Sequence, residues 1–161
     1  MLKKEVESLN IHDLIVQPLQ ANIDHRGYLI ETFRKDKIDF NPAMMYISYS
    51  KPNIRRGAHL HYFQKDYFIF LGPANFRVVV IDNREDSPTY LKVDDFCVGE
   101  NKPAYVVIPT NCWHGYENIS DKTGMVINIP DQLYRGENYS EAVDEVRCVW
   151  SELYDWHEIN D

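Results

Sequence analysis

The 161-residue chain is poor in the groups that staple small scaffolds: it holds three cysteines, Cys97, Cys112 and Cys148, widely spaced and with no Cys-x-x-Cys pair. Neither a disulfide framework nor a zinc finger follows from them, and a reducing cytoplasm is the expected compartment. Long apolar runs are missing as well. None approaches the ~20 residues that a membrane-spanning helix needs. The opening Met1-Leu2-Lys3-Lys4-Glu5-Val6-Glu7 has no apolar signal core, so a soluble intracellular protein without a membrane partner is expected. Positive charge is the third scarcity. Seventeen Lys and Arg face 25 Asp and Glu, a formal charge of −8. That excludes a general nucleic-acid binder, because neutralising phosphates takes clustered cations. A small anionic ligand stays open, since a few cations in a cleft outweigh the net charge locally; Arg26, Arg55, Arg56, Lys65 and Arg84 lie near the motifs below.

No repeat, low-complexity tract or linker interrupts the chain, and its length suits one domain over 1–161. What it does hold is aromatic and strand-forming: eleven tyrosines, three tryptophans and 44% hydrophobic residues. Short apolar or alternating runs at 14–19, 28–33, 44–49, 67–71, 76–81, 105–108 and 125–129 are separated by turn signals such as Asp24-His25-Arg26-Gly27 and Gly72-Pro73-Ala74-Asn75. This pattern predicts an all-β antiparallel fold. No strand alternates with a long helix, which disfavours a parallel sheet. The architecture that absorbs this many strands is the cupin, a jelly-roll double-sheet barrel. One short C-terminal helix is predicted over 140–146, with Ser140 as N-cap. An edge formed by the first ~20 residues is the expected place for a homodimer to pair.

The densest chemistry lies in Arg56-Gly57-Ala58-His59-Leu60-His61, answered by Ile108-Pro109-Thr110-Asn111-Cys112-Trp113-His114-Gly115-Tyr116. His59 and His61, two apart on a strand, share a face, and His114 follows a Pro-led turn. Three imidazoles lining one lumen serve either as acid/base groups or as metal ligands. The ligand reading takes His59, His61, Asp66 and His114, a set suited to Fe, Mn, Ni or Zn. In the acid/base reading His59 removes a proton next to a carbonyl, Arg56 or Lys65 steadies the resulting enolate, and a tyrosine such as Tyr134 returns a proton.

At these residues the chain resembles the dTDP-4-dehydrorhamnose 3,5-epimerase family. The motifs are Asp24-His25-Arg26-Gly27-Tyr28-Leu29-Ile30-Glu31, Arg56-Gly57-Ala58-His59, Asp82-Asn83-Arg84-Glu85-Asp86-Ser87-Pro88-Thr89 and Ile108-Pro109 through His114-Gly115-Tyr116, in family order over roughly residues 13–135. The resemblance implies a dimeric cupin, using neither metal nor cofactor, that acts on a nucleotide diphosphate 4-keto-6-deoxy sugar. It implies His59 as base, Tyr134 as the acid on the opposite face and Lys65 as the enolate-stabilising lysine. Arg56, His61 and His114 would contact the substrate, and Arg26, with Glu31 nearby, would hold the diphosphate across the dimer. The chain departs from the family at Tyr46-Ile47-Ser48-Tyr49-Ser50 and at Gln64-Lys65-Asp66. It also stops at Glu158-Ile159-Asn160-Asp161, without the family's tail Asp that pairs with the base; Asp82 and Asp144 are the candidate substitutes. His61 keeps two alternatives open, a 3,4-ketoisomerase of the same sugar class and a metal-dependent cupin, and the absent Asp partner leaves a third, a non-catalytic sugar-nucleotide binding module.

Overall fold

The computed structural model describes residues 9–156. Among these, the strands in chain order are β1 (Ile15–Pro18), β2 (Ala21–Asp24), β3 (Gly27–Ile30), β4 (Tyr46–Ser50), β5 (Arg55–Leu60), β6 (Asp66–Phe70), β7 (Asn75–Asp82), β8 (Val93–Gly99), β9 (Ala104–Ile108), β10 (Cys112–Asn118), β11 (Gly124–Asn128) and β12 (Val146–Arg147). They form two five-stranded antiparallel sheets, ordered β1-β9-β6-β11-β4 and β12-β5-β10-β7-β8, and a separate β2-β3 hairpin. The chain passes repeatedly from one sheet to the other, which is the double-sheet jelly roll.

Period-two alternation explains where each strand's side chains go. On β6, Phe68 and Phe70 turn inward to meet Phe76, Val78, Val80, Val106 and Tyr116 between the sheets. Tyr67 and Ile69 turn outward, where the segment before β4 lays Phe33, Ile38 and Phe40 over them. The second sheet is covered in the same way: Val79 and Ile81 on its outer face lie under Trp150 and Trp156. Strands buried on both faces read as continuous apolar runs, and each such Phe or Val contributes roughly 1.5–3 kcal/mol.

Every run expected to be a strand falls on one. β8 is a strand that the apolar pattern hid, because its Asp94 and Asp95 break the run. Asp94 points inward and accepts the backbone N–H groups of Asn10 and Ile11, each at 2.9 Å; Asp95 pairs with Arg77 at 2.6 Å.

The α-helix expected over 140–146 does not form. Glu137–Tyr139 and Trp150–Glu152 are single 3-10 turns, and Val146 and Arg147 instead join the second sheet opposite Leu60 and His59. A helix that short is not stable alone, and the tertiary bonds available to the extended chain win. The Asp144 carboxylate accepts the N–H groups of Tyr62, Phe63 and Gln64 at 3.0, 2.8 and 3.0 Å, which fixes the path into β12. The expected N-terminal edge is realised in part, since β1 is an edge strand; residues 1–8 lie outside the described residues.

Candidate active site

β5 and β10 build the site's inner wall. Gly57 pairs with Gly115 and His59 with His114, and the register shifts between these pairs, so Ala58 is the extra residue of a β-bulge. Arg56 pairs with Tyr116, two residues beyond His114, so the bulge puts Arg56 and His59 on one face although they are three apart. The two glycines permit it. A Cβ on Gly57 would lie 2.6 Å from the His114 carbonyl oxygen, and one on Gly115 would lie 2.3 Å from that of Arg56. Arg56 is held toward β4, its Nε donating to Ser50 Oγ at 2.9 Å and its Nη2 to the Tyr49 carbonyl at 2.7 Å.

His114 comes inward from the second sheet and Asp66 from the first, and they meet with His114 Nε2 3.1 Å from Asp66 Oδ2. His61 Nε2 reaches the same oxygen at 3.5 Å. Both rings are anchored on their far sides by backbone carbonyls: His114 Nδ1 by Cys112 at 3.0 Å, and His61 Nδ1 by Asp144. Asp66 Oδ1 accepts from Gln64 Nε2 at 2.8 Å and from Asn128 Nδ2 at 2.7 Å. Burial alone would raise the Asp66 pKa, but the His114 and His61 rings and the Asn128 amide hold it below the usual carboxylate value. The three groups could share one proton or ligate one cation, since their donor atoms lie within 4.8 Å of one another. His59, expected as a fourth ligand, is not in this group.

His59 is set apart from the other two. It is half-buried, its ring 6.1 Å from that of His114, and among the described residues no hydrogen bond engages its ring nitrogens. Burial, then the His114 ring, lower its pKa to about 4, with the Glu145 carboxylate pulling the other way. The imidazole is therefore neutral near pH 7 and has a lone pair to offer. Its strand neighbour across the β5–β12 ladder is Arg147, which is ion-paired with Glu145. Alternation puts Glu145 on the same face as Arg147 and His59.

A cavity of about 940 Å³ opens beside this wall, lined by Tyr46, His61, Gln64, Tyr134 and Glu145 together with much of the segment 130–144. His59 is not itself among the lining residues, but its neighbours His61 and Glu145 are. Tyr134 is 51% exposed, and its hydroxyl is near enough to raise the pKa of Arg147, after the larger effect of Glu145. Lys65 is exposed and outside the lining; its backbone N–H donates to Asp131 Oδ1 at 2.8 Å. Asp66 takes the inward position beside it.

Arg26 and Glu31 are not brought to the cavity within one chain. Arg26 pairs with Asp24 at the tip of the hairpin, and Glu31 pairs with Arg34 at 3.2 Å. Asp82 is taken by Arg84, Ser87 and Thr89 at 2.8, 2.6 and 2.7 Å and Asp144 by the loop after β5, so the carboxylate whose charge acts on His59 is Glu145. Sequence reading missed Glu145, Tyr46 and Asn128. Asn128 carried a signal, a polar residue on the inward face of an apolar run.

Comparison with known proteins bears on the family and the fold. The family model described as dTDP-4-dehydrorhamnose 3,5-epimerase matches residues 8–148. The chain is 40% identical over 135 residues to the "Probable low-salt glycan biosynthesis epimerase Agl13" of Haloferax volcanii, covering 82% of this chain and 86% of that one. It is 29% identical over 140 residues to the "Spore coat polysaccharide biosynthesis protein SpsL" of Bacillus subtilis, covering 85% and 88%. Among solved structures, dTDP-4-dehydrorhamnose 3,5-epimerase from Bacillus anthracis with TDP and PPi bound superposes with a TM-score of 0.79 at 20% identity, over 98% of this chain and 91% of that one. On the match across most of its length and the similarity to an epimerase-named relative, this chain belongs to the dTDP-4-dehydrorhamnose 3,5-epimerase family.

Proposed function

We propose that the protein inverts C3, C5 or both of a nucleotide diphosphate 4-keto-6-deoxy sugar in the cytoplasm, for a surface polysaccharide or other glycan. The observation that carries this reading is His59: among the described residues no hydrogen bond engages its ring nitrogens, burial keeps it neutral, and it shares a face with Arg56.

The ketone at C4 acidifies the neighbouring C–H bonds. His59 takes the proton from carbon, the electron pair moves onto the C4 oxygen, and Tyr134 returns a proton from the other face. Glu145 favours the imidazolium that forms, because its charge raises the His59 pKa against burial. Arg56 binds the substrate. His61 and His114 support the wall, because their Nδ1 atoms are held by backbone carbonyls and their Nε2 atoms face Asp66. A 3,4-ketoisomerase that shuttles a proton through a pair of histidines would need His61 free as well. No step in this scheme is assigned to a metal or cofactor.

The working unit is a homodimer. The β2-β3 hairpin leaves Ile23, Tyr28 and Leu29 80%, 71% and 61% exposed, and a lone hairpin is marginal in water. The edge strand β4 leaves Ile47 and Tyr49 exposed. A second copy's hairpin laid along β4 would cover both surfaces. It would also carry Arg26 toward the diphosphate at the mouth of the cavity, where β4 begins at Tyr46.

The test is to incubate the protein with dTDP-4-keto-6-deoxyglucose in D₂O. Deuterium at C3 or C5 with an inverted product is expected. A 3-keto product labelled only at C3 would replace this reading with ketoisomerisation, and binding without exchange would reduce the protein to a binding module.

A further inference from the structure

The enolate formed in this reaction needs a donor at the C4 oxygen, and the lysine expected there faces solvent. Another group is placed to do this. Asn128 Oδ1 accepts the Tyr67 backbone N–H at 3.1 Å, so the amide orientation is fixed and Nδ2 is its donor side. Nδ2 donates to Asp66 Oδ1 at 2.7 Å and to Tyr46 Oη at 2.8 Å. The Tyr46 oxygen is therefore an acceptor in that bond, and among the described residues its own O–H proton has no acceptor. The ring is fixed at the head of β4, where Tyr46 is the strand partner of Asn128, and it lines the same cavity as His61, Tyr134 and Glu145. The other polar side chains of the buried cluster are turned to protein partners: both Gln64 Nε2 bonds go to Asp66 and His61, the His61 and His114 Nδ1 atoms are on carbonyls, and His114 Nε2 faces Asp66 Oδ2 at 3.1 Å. Burial and the charge of Asp66 hold the phenol in its protonated form, so it acts as a donor.

We propose that Tyr46 is a further catalytic residue, whose hydroxyl donates a hydrogen bond to the C4 oxygen and stabilises the enolate as charge develops there. This rests on the epimerase reading above. It assigns to a neutral phenol, steadied by the Asn128–Asp66 pair, the work that a lysine ammonium would do. Because the oxyanion exists only on the reaction path, the hydroxyl should act on kcat and leave KM nearly unchanged.

The experiment measures solvent deuterium incorporation into a 4-keto-6-deoxy sugar nucleotide by the full chain, by Tyr46→Phe and by protein carrying 3-fluorotyrosine at position 46, all at pH 6. With the wild type exchanging, Tyr46→Phe should lose about 100-fold in kcat at a similar KM, the scale for one oxyanion donor. The more acidic fluorophenol, which keeps the ring in place, should exchange faster than wild type. A Tyr46→Phe rate within about 3-fold of wild type, or a rate indifferent to fluorination, overturns the assignment and leaves the epimerase reading standing. A wild type that does not exchange at all removes both.

Discussion

His114 Nε2 and Asp66 Oδ2 face each other 3.1 Å apart from opposite sheets, and every other polar atom of the pair is already engaged. The pair joins the two sheets beneath the site. Removing the carboxylate would strand the Gln64 and Asn128 amides and both imidazoles. Asp66→Ala should therefore cost about 3–5 kcal/mol of stability, the scale for breaking a buried charged pair, measured by urea unfolding. A loss below about 1 kcal/mol would contradict this role.

The close passage of β5 and β10 at Gly57 and Gly115 sets the position of His59. Gly115→Ala places a methyl 2.3 Å from the Arg56 carbonyl oxygen, a backbone atom that cannot step aside without moving the bulge. A displacement of about 1 Å can cost on the order of 100-fold in rate. Steady-state kinetics on folded Gly115→Ala should show a fall of that order, and unchanged kcat/KM would show that the bulge does not position the base.

The pH dependence follows from His59. Its folded pKa of about 4 lies below the ordinary value of 6.5, so the proposed base stays neutral in mildly acidic buffer. The acid limb of kcat/KM should fall near pH 4, not near 6.5. Linkage has the matching sign: folding keeps the neutral form, so this group's contribution to stability declines as pH drops from about 6.5 through about 4. A limb at pH 6 or above would contradict the placement.

Glu145 works against burial at His59. Glu145→Gln removes that negative charge, so the acid limb should move to lower pH, and the weaker base should lower the plateau rate. NMR titration of the His59 ring reads the same shift directly. An unmoved pKa would leave Glu145 a partner of Arg147 alone.

The tail segment closes the outer face of the second sheet. Trp150 and Trp156 meet edge to face at 4.9 Å, and the Arg55 and Arg77 guanidinium groups stack over Trp156 at 4.8 and 5.4 Å. Trp156→Ala should cost about 3–5 kcal/mol in urea unfolding; a loss under 1 kcal/mol would mean that the tail only rests on the sheet.

The apolar runs announced the strands, and Arg56-Gly57-Ala58-His59 with His114-Gly115 announced the two strands that meet at the site. Less legible was anything that depended on which residues face each other across the ladder. The acidic β8 hides its inward face behind Asp94 and Asp95. Nothing local distinguishes Glu145 from the other acids of 137–145; its register opposite β5 does. His59 and His61 look equivalent in sequence, and only the tertiary Asp144 carbonyl that claims the His61 ring separates them. What Arg26 contributes in the proposed homodimer depends on a second chain, which one sequence cannot position.

The most direct measurement is deuterium exchange from solvent into C3 and C5 of the 4-keto sugar nucleotide by wild type and His59→Asn, after matched thermal melts show both folded. Exchange by the wild type and a loss of at least 1,000-fold in the variant, roughly the scale of general-base catalysis, is the expected result. His59→Asn exchanging at the wild-type rate would remove the proposed base and the mechanism built on it.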